Sequence, residues 1–202
     1  MRRLATAALV VALATPSAAG PGEACGLITD PAHDARSVLP HGDLTSLDIM
    51  AADVEWQASG LVADIRVAGL RPPTTASPLG QAYYLYVTYR ERGYALVAYR
   101  GLDGEAFYVV TGASDSSSDL GNRRIPITGS FDAENDVVTI LAEPKIFEAE
   151  GRVDRGDVMY DISADTWQLY GTEERQVGET VDRAGKSRGT TYTVGTRTCV
   201  SS

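Results

Sequence analysis

Three aspartates near the N-terminus have the residue type and spacing of a hard-cation site. Asp30 and Asp34 stand four residues apart across a proline-containing turn, and Asp48 opens the next apolar run. Oxygens converging from a loop and a strand end suit Ca²⁺, which takes about six to eight oxygen ligands. The same residues also suit turn capping, in which Asp30 and Asp34 accept from nearby backbone amides. A second acidic series, Asp132, Glu134 and Asp136 followed by Glu143, echoes the spacing of a helix-loop-helix calcium loop. Val137 stands where that loop needs glycine and its flanks are strand-like, so a hairpin turn accounts for it better.

Tyrosines supply the other chemistry. With a two-residue turn at Arg92-Gly93, Tyr86 falls opposite Tyr99, and Tyr84, Tyr86 and Tyr99 share one face of a hairpin. Such rings suit planar or sugar-like ligands, and they suit equally a sandwich core with hydroxyls reaching its edge. Nucleophilic catalysis has little to rest on. The two histidines, His33 and His41, share one N-terminal loop, and no Gly-x-Ser-x-Gly elbow occurs. Hydrolysis by paired carboxylates needs only two acids at a suitable separation, and among 27 acidic residues the sequence nominates no pair. Arg155-Gly156-Asp157 spells an adhesion tripeptide, but its place before a strand reads as an ordinary turn.

The ends of the chain indicate a compartment. Arg2-Arg3, the apolar run Leu4 to Ala14 and the small residues Ser17-Ala18-Ala19 form the three parts of a cleavable secretory signal, residues 1–19. Residues 20–202 then form one domain, secreted and extracellular, with no later apolar stretch long enough for membrane insertion. In an oxidising compartment, Cys25 and Cys199 read as one disulfide tying the termini and placing the first and last strands side by side. The formal net charge of −9 becomes −11 once Arg2 and Arg3 leave with the signal. A surface this acidic repels phosphate backbones, which argues against a nucleic-acid partner.

The elements that must position these residues are strands almost throughout. Apolar alternation marks Leu47 to Trp56 and Leu61 to Val67 around Gln57-Ala58-Ser59-Gly60. Gln81 to Arg90 and Tyr94 to Arg100 form a Tyr-rich pair around Arg92-Gly93, and Leu102-Asp103-Gly104 turns the chain into Ala106 to Thr111. Polar residues Ala113 to Arg124 form a loop before strands at Ile125 to Phe131 and Val137 to Ala142. Pro144 to Ala149 fits one helical turn, and Val158 to Tyr170 is a strand bulged near Ser163-Ala164-Asp165. Gly171 to Gly189 reads as a loop before a last strand near Thr191 to Thr196. The expectation is an all-β, antiparallel, jelly-roll-like sandwich of two sheets with about eight or nine strands.

Asp30-Pro31-Ala32-His33-Asp34-Ala35, Leu47-Asp48-Ile49 and Ala52-Asp53-Val54 come in that order, followed by Tyr83-Tyr84, Gly129-Ser130-Phe131-Asp132 and Gly156-Asp157-Val158. In that order they resemble a secreted actinobacterial β-sandwich family, similar to the DOMON-like sandwiches and family-9 carbohydrate-binding modules. His33 stands where that family's pattern has glycine. The resemblance implies a sandwich fold and a non-catalytic binding or accessory role, for extracellular glycans or cell-wall material. Tyr84, Tyr86 and Tyr99 are the ligand-binding candidates, Asp30, Asp34 and Asp48 the calcium candidates, and the chain is expected to be monomeric. A small hydrolase using paired carboxylates, or a structural secreted protein, is the alternative.

Overall fold

The computed structural model describes residues 26–37, 44–72, 80–101, 104–112, 124–172, 175–185 and 189–196. The signal segment 1–19, Cys25, Cys199 and His41 lie outside them. The described residues form two antiparallel sheets packed as a sandwich. The five-stranded sheet has the order β1 (Ile28–Thr29), β2 (Ile49–Gln57), β3 (Gly60–Val67), β9 (Val137–Ala142), β8 (Thr128–Asp132). The larger sheet has the order β11 (Arg175–Ala184), β10 (Val158–Thr172), β4 (Gly80–Tyr89), β5 (Arg92–Gly101), β6 (Gly104–Thr111), β7 (Arg124–Pro126), with β12 (Tyr192–Thr193) paired to β10.

Alternation explains which side chains meet between the sheets. Leu61, Ala63, Ile65 and Val67 of β3 face Tyr83, Leu85, Val87 and Tyr89 of β4 in one buried cluster, joined by Val138, Ile140 and Ala142 of β9. Hydrogen bonds also cross between the sheets: Tyr83 Oη donates to Ser46 O and Thr166 Oγ1 to Leu47 O just before β2, and Trp56 N to Tyr192 Oη near the far end of β2. The larger sheet is apolar on its outer face too, where Ala82, Tyr84, Tyr86, Ala95, Val97 and Val110 form a second cluster. Its strands therefore read as nearly continuous apolar runs.

Several expectations need correction. The β4–β5 turn is Arg90-Glu91, both with positive φ (45° and 69°), and Tyr89 pairs with Arg92. A turn at Arg92-Gly93 would have set Arg100 opposite Leu85 in the core; the observed register sets it opposite Gln81 and keeps Leu85 against Leu96. Ile125 to Phe131 is not one strand. The chain leaves the larger sheet after Pro126, where Ile127 N makes a last bond to Phe107 O at 3.1 Å, and enters the smaller one at Thr128. Gly171 to Gly189 is not all loop, because β11 covers most of it. Its alternation is hidden by a bulge between Thr166 and Trp167 that leaves Val181 without a partner on β10. The bulge of β10 against β4 falls between Tyr160 and Ser163, earlier than expected. β1 and β12 are not partners: β1 pairs with β2 and β12 with β10. Thr45–Leu47 is a 3-10 turn that precedes β2, and Pro144–Ile146 and Glu148–Glu150 are two such turns where one was expected.

Candidate functional site

The first loop leaves β1 at Asp30, whose N–H donates to Met50 O at 3.1 Å. Pro31 and Ala32 turn it, and His33 takes φ 66°, the left-handed conformation that glycine adopts most easily. Asp48 holds this turn closed: its Oδ2 accepts from His33 N at 2.7 Å and its Oδ1 lies 3.4 Å from Ala35 N. Arg36 N then donates to Val181 O at 2.8 Å, which lays the loop against β11. The bulge at Val181 brings Asp182 into the gap between the two sheets, where Ile49 N and Arg183 N each donate to its carboxylate at 2.7 Å.

Asp30, Asp34 and Asp182 meet here, each with an oxygen within 4.8 Å of the others. A cation bonded at about 2.4 Å to each of two opposed oxygens would hold them about that far apart. Asp30 Oδ2 is buried with no hydrogen-bond partner. Burial, and next the charges of Asp182, Asp34 and Asp48, push the Asp30 carboxyl up from its ordinary 3.8 to about 7. Burial likewise pushes Asp182 up to about 6 against the pull of its two backbone donors. Crowded carboxylates at raised pKa relax when a cation binds their ionised form. The described residues thus bring Asp30 and Asp34 together as the sequence suggested, while Asp48 organises the loop beneath them. The third oxygen source, Asp182, was missed because it lies far along the chain in a segment without visible alternation.

The Asp132 series is a hairpin turn, with Glu134 N, Asn135 N and Asn135 Nδ2 all donating to Asp132. In the Arg155-Gly156-Asp157 turn, the Asp157 carboxylate is occupied by Tyr89 Oη at 2.7 Å, Asp154 N at 3.0 Å and Arg90 Nη2 at 3.3 Å.

Tyr84, Tyr86 and Tyr99 do share a face, although the turn was misplaced, because the register differs by an even number of residues. That face is the outer one of the larger sheet. Tyr84 and Tyr86 stack with ring centroids 5.9 Å apart and planes 9° from parallel, and Trp167 lies 5.8 Å from Tyr84. Both tyrosines are buried, at 6% and 8% exposure. Tyr99 and Tyr108 are half-buried beside them. Tyr99 packs against Gly80, where a Cβ would come within 2.5 Å of its ring. Arg124 stands over Tyr108, 4.8 Å from the ring centroid. Comparison with protein-family models, curated proteins and solved structures finds no match for this chain.

Proposed function

We propose that this chain is a secreted, non-catalytic β-sandwich module that holds Ca²⁺ in its first loop and binds extracellular glycans or cell-wall material. The convergence of Asp30, Asp34 and Asp182, from one loop and one strand, within 4.8 Å is the observation that carries the calcium part. Three carboxylates offer up to six oxygens, and the remaining positions of the usual shell fall to water or backbone carbonyls. The ordered motifs and the two-sheet antiparallel sandwich support the jelly-roll, DOMON-like reading, and the partly exposed rings of Tyr99 and Tyr108, backed by Tyr84 and Tyr86, offer a surface for a sugar face. Export by the N-terminal signal and a monomeric state belong to the same proposal.

Hydrolysis by paired carboxylates is the second reading, and the raised Asp30 and Asp182 favour it. Glycosidase carboxyls stand about 5–9.5 Å apart with the sugar between them. The present oxygens are closer, and both of those on Asp182 accept backbone N–H groups. A glycan array probed with the mature protein in Ca²⁺ and in EDTA tests the proposal. Retention of specific glycans without turnover supports it; hydrolysis abolished by Asp182→Asn would establish the second reading instead.

A further inference from the structure

Five polar residues stand in one row across the inner face of the larger sheet. Register sets Glu179 opposite Gln168, Gln168 opposite Gln81, Gln81 opposite Arg100, and Arg100 opposite Glu105. Directly opposed residues share a face. Tyr83 and Thr166, two positions along from Gln81 and Gln168, identify it as the inner one by their bonds to Ser46 O and Leu47 O. Ser46 and Leu47 precede β2 and Phe131 stands next to the last residue of β8, so the row lies near one end of the sandwich.

The row runs from a buried floor to an open rim. Gln168 and Gln81 are 6% and 7% exposed, the Arg100 side chain 18% and that of Glu105 41%. Arg100 Nε binds Glu105 Oε1 at 3.1 Å, yet Arg100 Nη1 is buried with no partner, and so is Gln168 Oε1. Gln81 Oε1 lies 3.4 Å from the Tyr83 hydroxyl, whose single proton is directed to Ser46 O at 2.8 Å. Native interiors rarely leave buried donors and acceptors unpaired. Phe131 forms an apolar wall here, with the Arg100 guanidinium 5.0 Å from its centroid and Phe107 at 5.4 Å.

We infer that this row is a subsite for a neutral, hydroxyl-rich ligand, a sugar residue of a saccharide. A hydroxyl both donates and accepts, so one ring satisfies Gln168 Oε1 and Arg100 Nη1 together. Two strand spacings, about 10 Å, separate the backbones that carry them, a span that one ring with its hydroxyls can bridge. Two carboxylates against one guanidinium give the row negative charge, which disfavours phosphate and carboxylate ligands. Phe131 can take the apolar face of the ring. The inference rests on the binding-module reading and names a site for it distinct from the outer tyrosines.

Calorimetric titration of the calcium-loaded protein with neutral gluco-, manno- and xylo-oligosaccharides, and with an oligogalacturonate, tests it. At least one neutral series should bind and the uronate should not. Gln168→Met, close in volume and lacking the orphaned acceptor, should weaken that binding about tenfold or more, while the melting temperature without sugar stays level or rises. Arg100→Lys keeps the charge but removes Nη1, and should weaken binding similarly if Gln168→Met fails to fold. Undiminished affinity in the folded variants overturns the subsite. Loss through Tyr99→Ala alone overturns it while leaving the module reading on the outer face. No binding of any saccharide, with Gln168→Met merely more stable, means that the row holds ordered water only, and the inference falls with the glycan reading.

Discussion

Asp30 and Asp182 hold their protons more tightly folded than unfolded, since burial and neighbouring carboxylates raise both. The linked stability therefore has the opposite sign to that of a salt-bridged carboxylate. It is fully present below the ordinary 3.8 and is lost as pH rises toward about 7 for Asp30 and about 6 for Asp182. In EDTA, the melting temperature should fall across that window, and Asp30→Asn should flatten the slope; a flat parent curve would remove the coupling. Calcium binds the ionised form, so it should oppose the fall and add about 2.7 kcal/mol at a hundredfold excess over its dissociation constant. Asp34→Ala, on the exposed side of the cluster, should abolish that increment without lowering metal-free stability. The other residue-scale expectation concerns Tyr86, buried and stacked on Tyr84. Tyr86→Ala should cost about 3 kcal/mol or more in chemical denaturation through the cavity it leaves. A loss under about 1 kcal/mol would mean that the ring is accessible after all.

At the scale of elements, the β4–β5 hairpin keeps two bulky residues in the left-handed region so that its strands stay in register. Arg90 repays this locally: its guanidinium lies 5.0 Å from the Tyr89 centroid and its Nη2 donates to Arg152 O at 3.2 Å. Glu91 contributes its backbone N–H, which donates to Tyr160 Oη at 3.0 Å. Glu91→Gly keeps that bond and relieves the strain of φ 69°. It should raise stability by about 0.5–1 kcal/mol, because two-residue hairpin turns favour glycine at this position. Equal or lower stability in a urea titration would show that the turn is unstrained.

At the scale of the whole molecule, the two sheets are held by a shared apolar cluster and by bonds at one edge, where the loop after β1, the start of β2 and the bulged β11 converge. A cation at that junction would tie both sheets together, so calcium removal should loosen β1 and β11 first in amide exchange. The expected Cys25–Cys199 bond would add a second tie, worth about 5 kcal/mol by loop-closure entropy. Thiol titration of the unfolded, unreduced mature protein should find no free cysteine; two free thiols would defeat that expectation.

Local pattern in the sequence determined much of this protein. Alternation marked β2 and β3, and apolar or Tyr-rich runs bounded by turn residues marked β4, β5, β6 and β9, to within a few residues, because strand propensity and turn chemistry are local. Parity also put Tyr84, Tyr86 and Tyr99 on one face despite the misplaced turn, as any even slip preserves it. Proximity in the chain made Asp30 and Asp34 legible as partners. Only the tertiary structure decided that Asp182 joins them and that Asp48 lies beneath. It also decided that Tyr84 and Tyr86 are buried, and that Gln81, Arg100 and Gln168 stand in line. Those facts depend on which strands are neighbours and how they are registered. Sheet order comes from packing two apolar faces across the whole chain, and no window of neighbouring residues contains it.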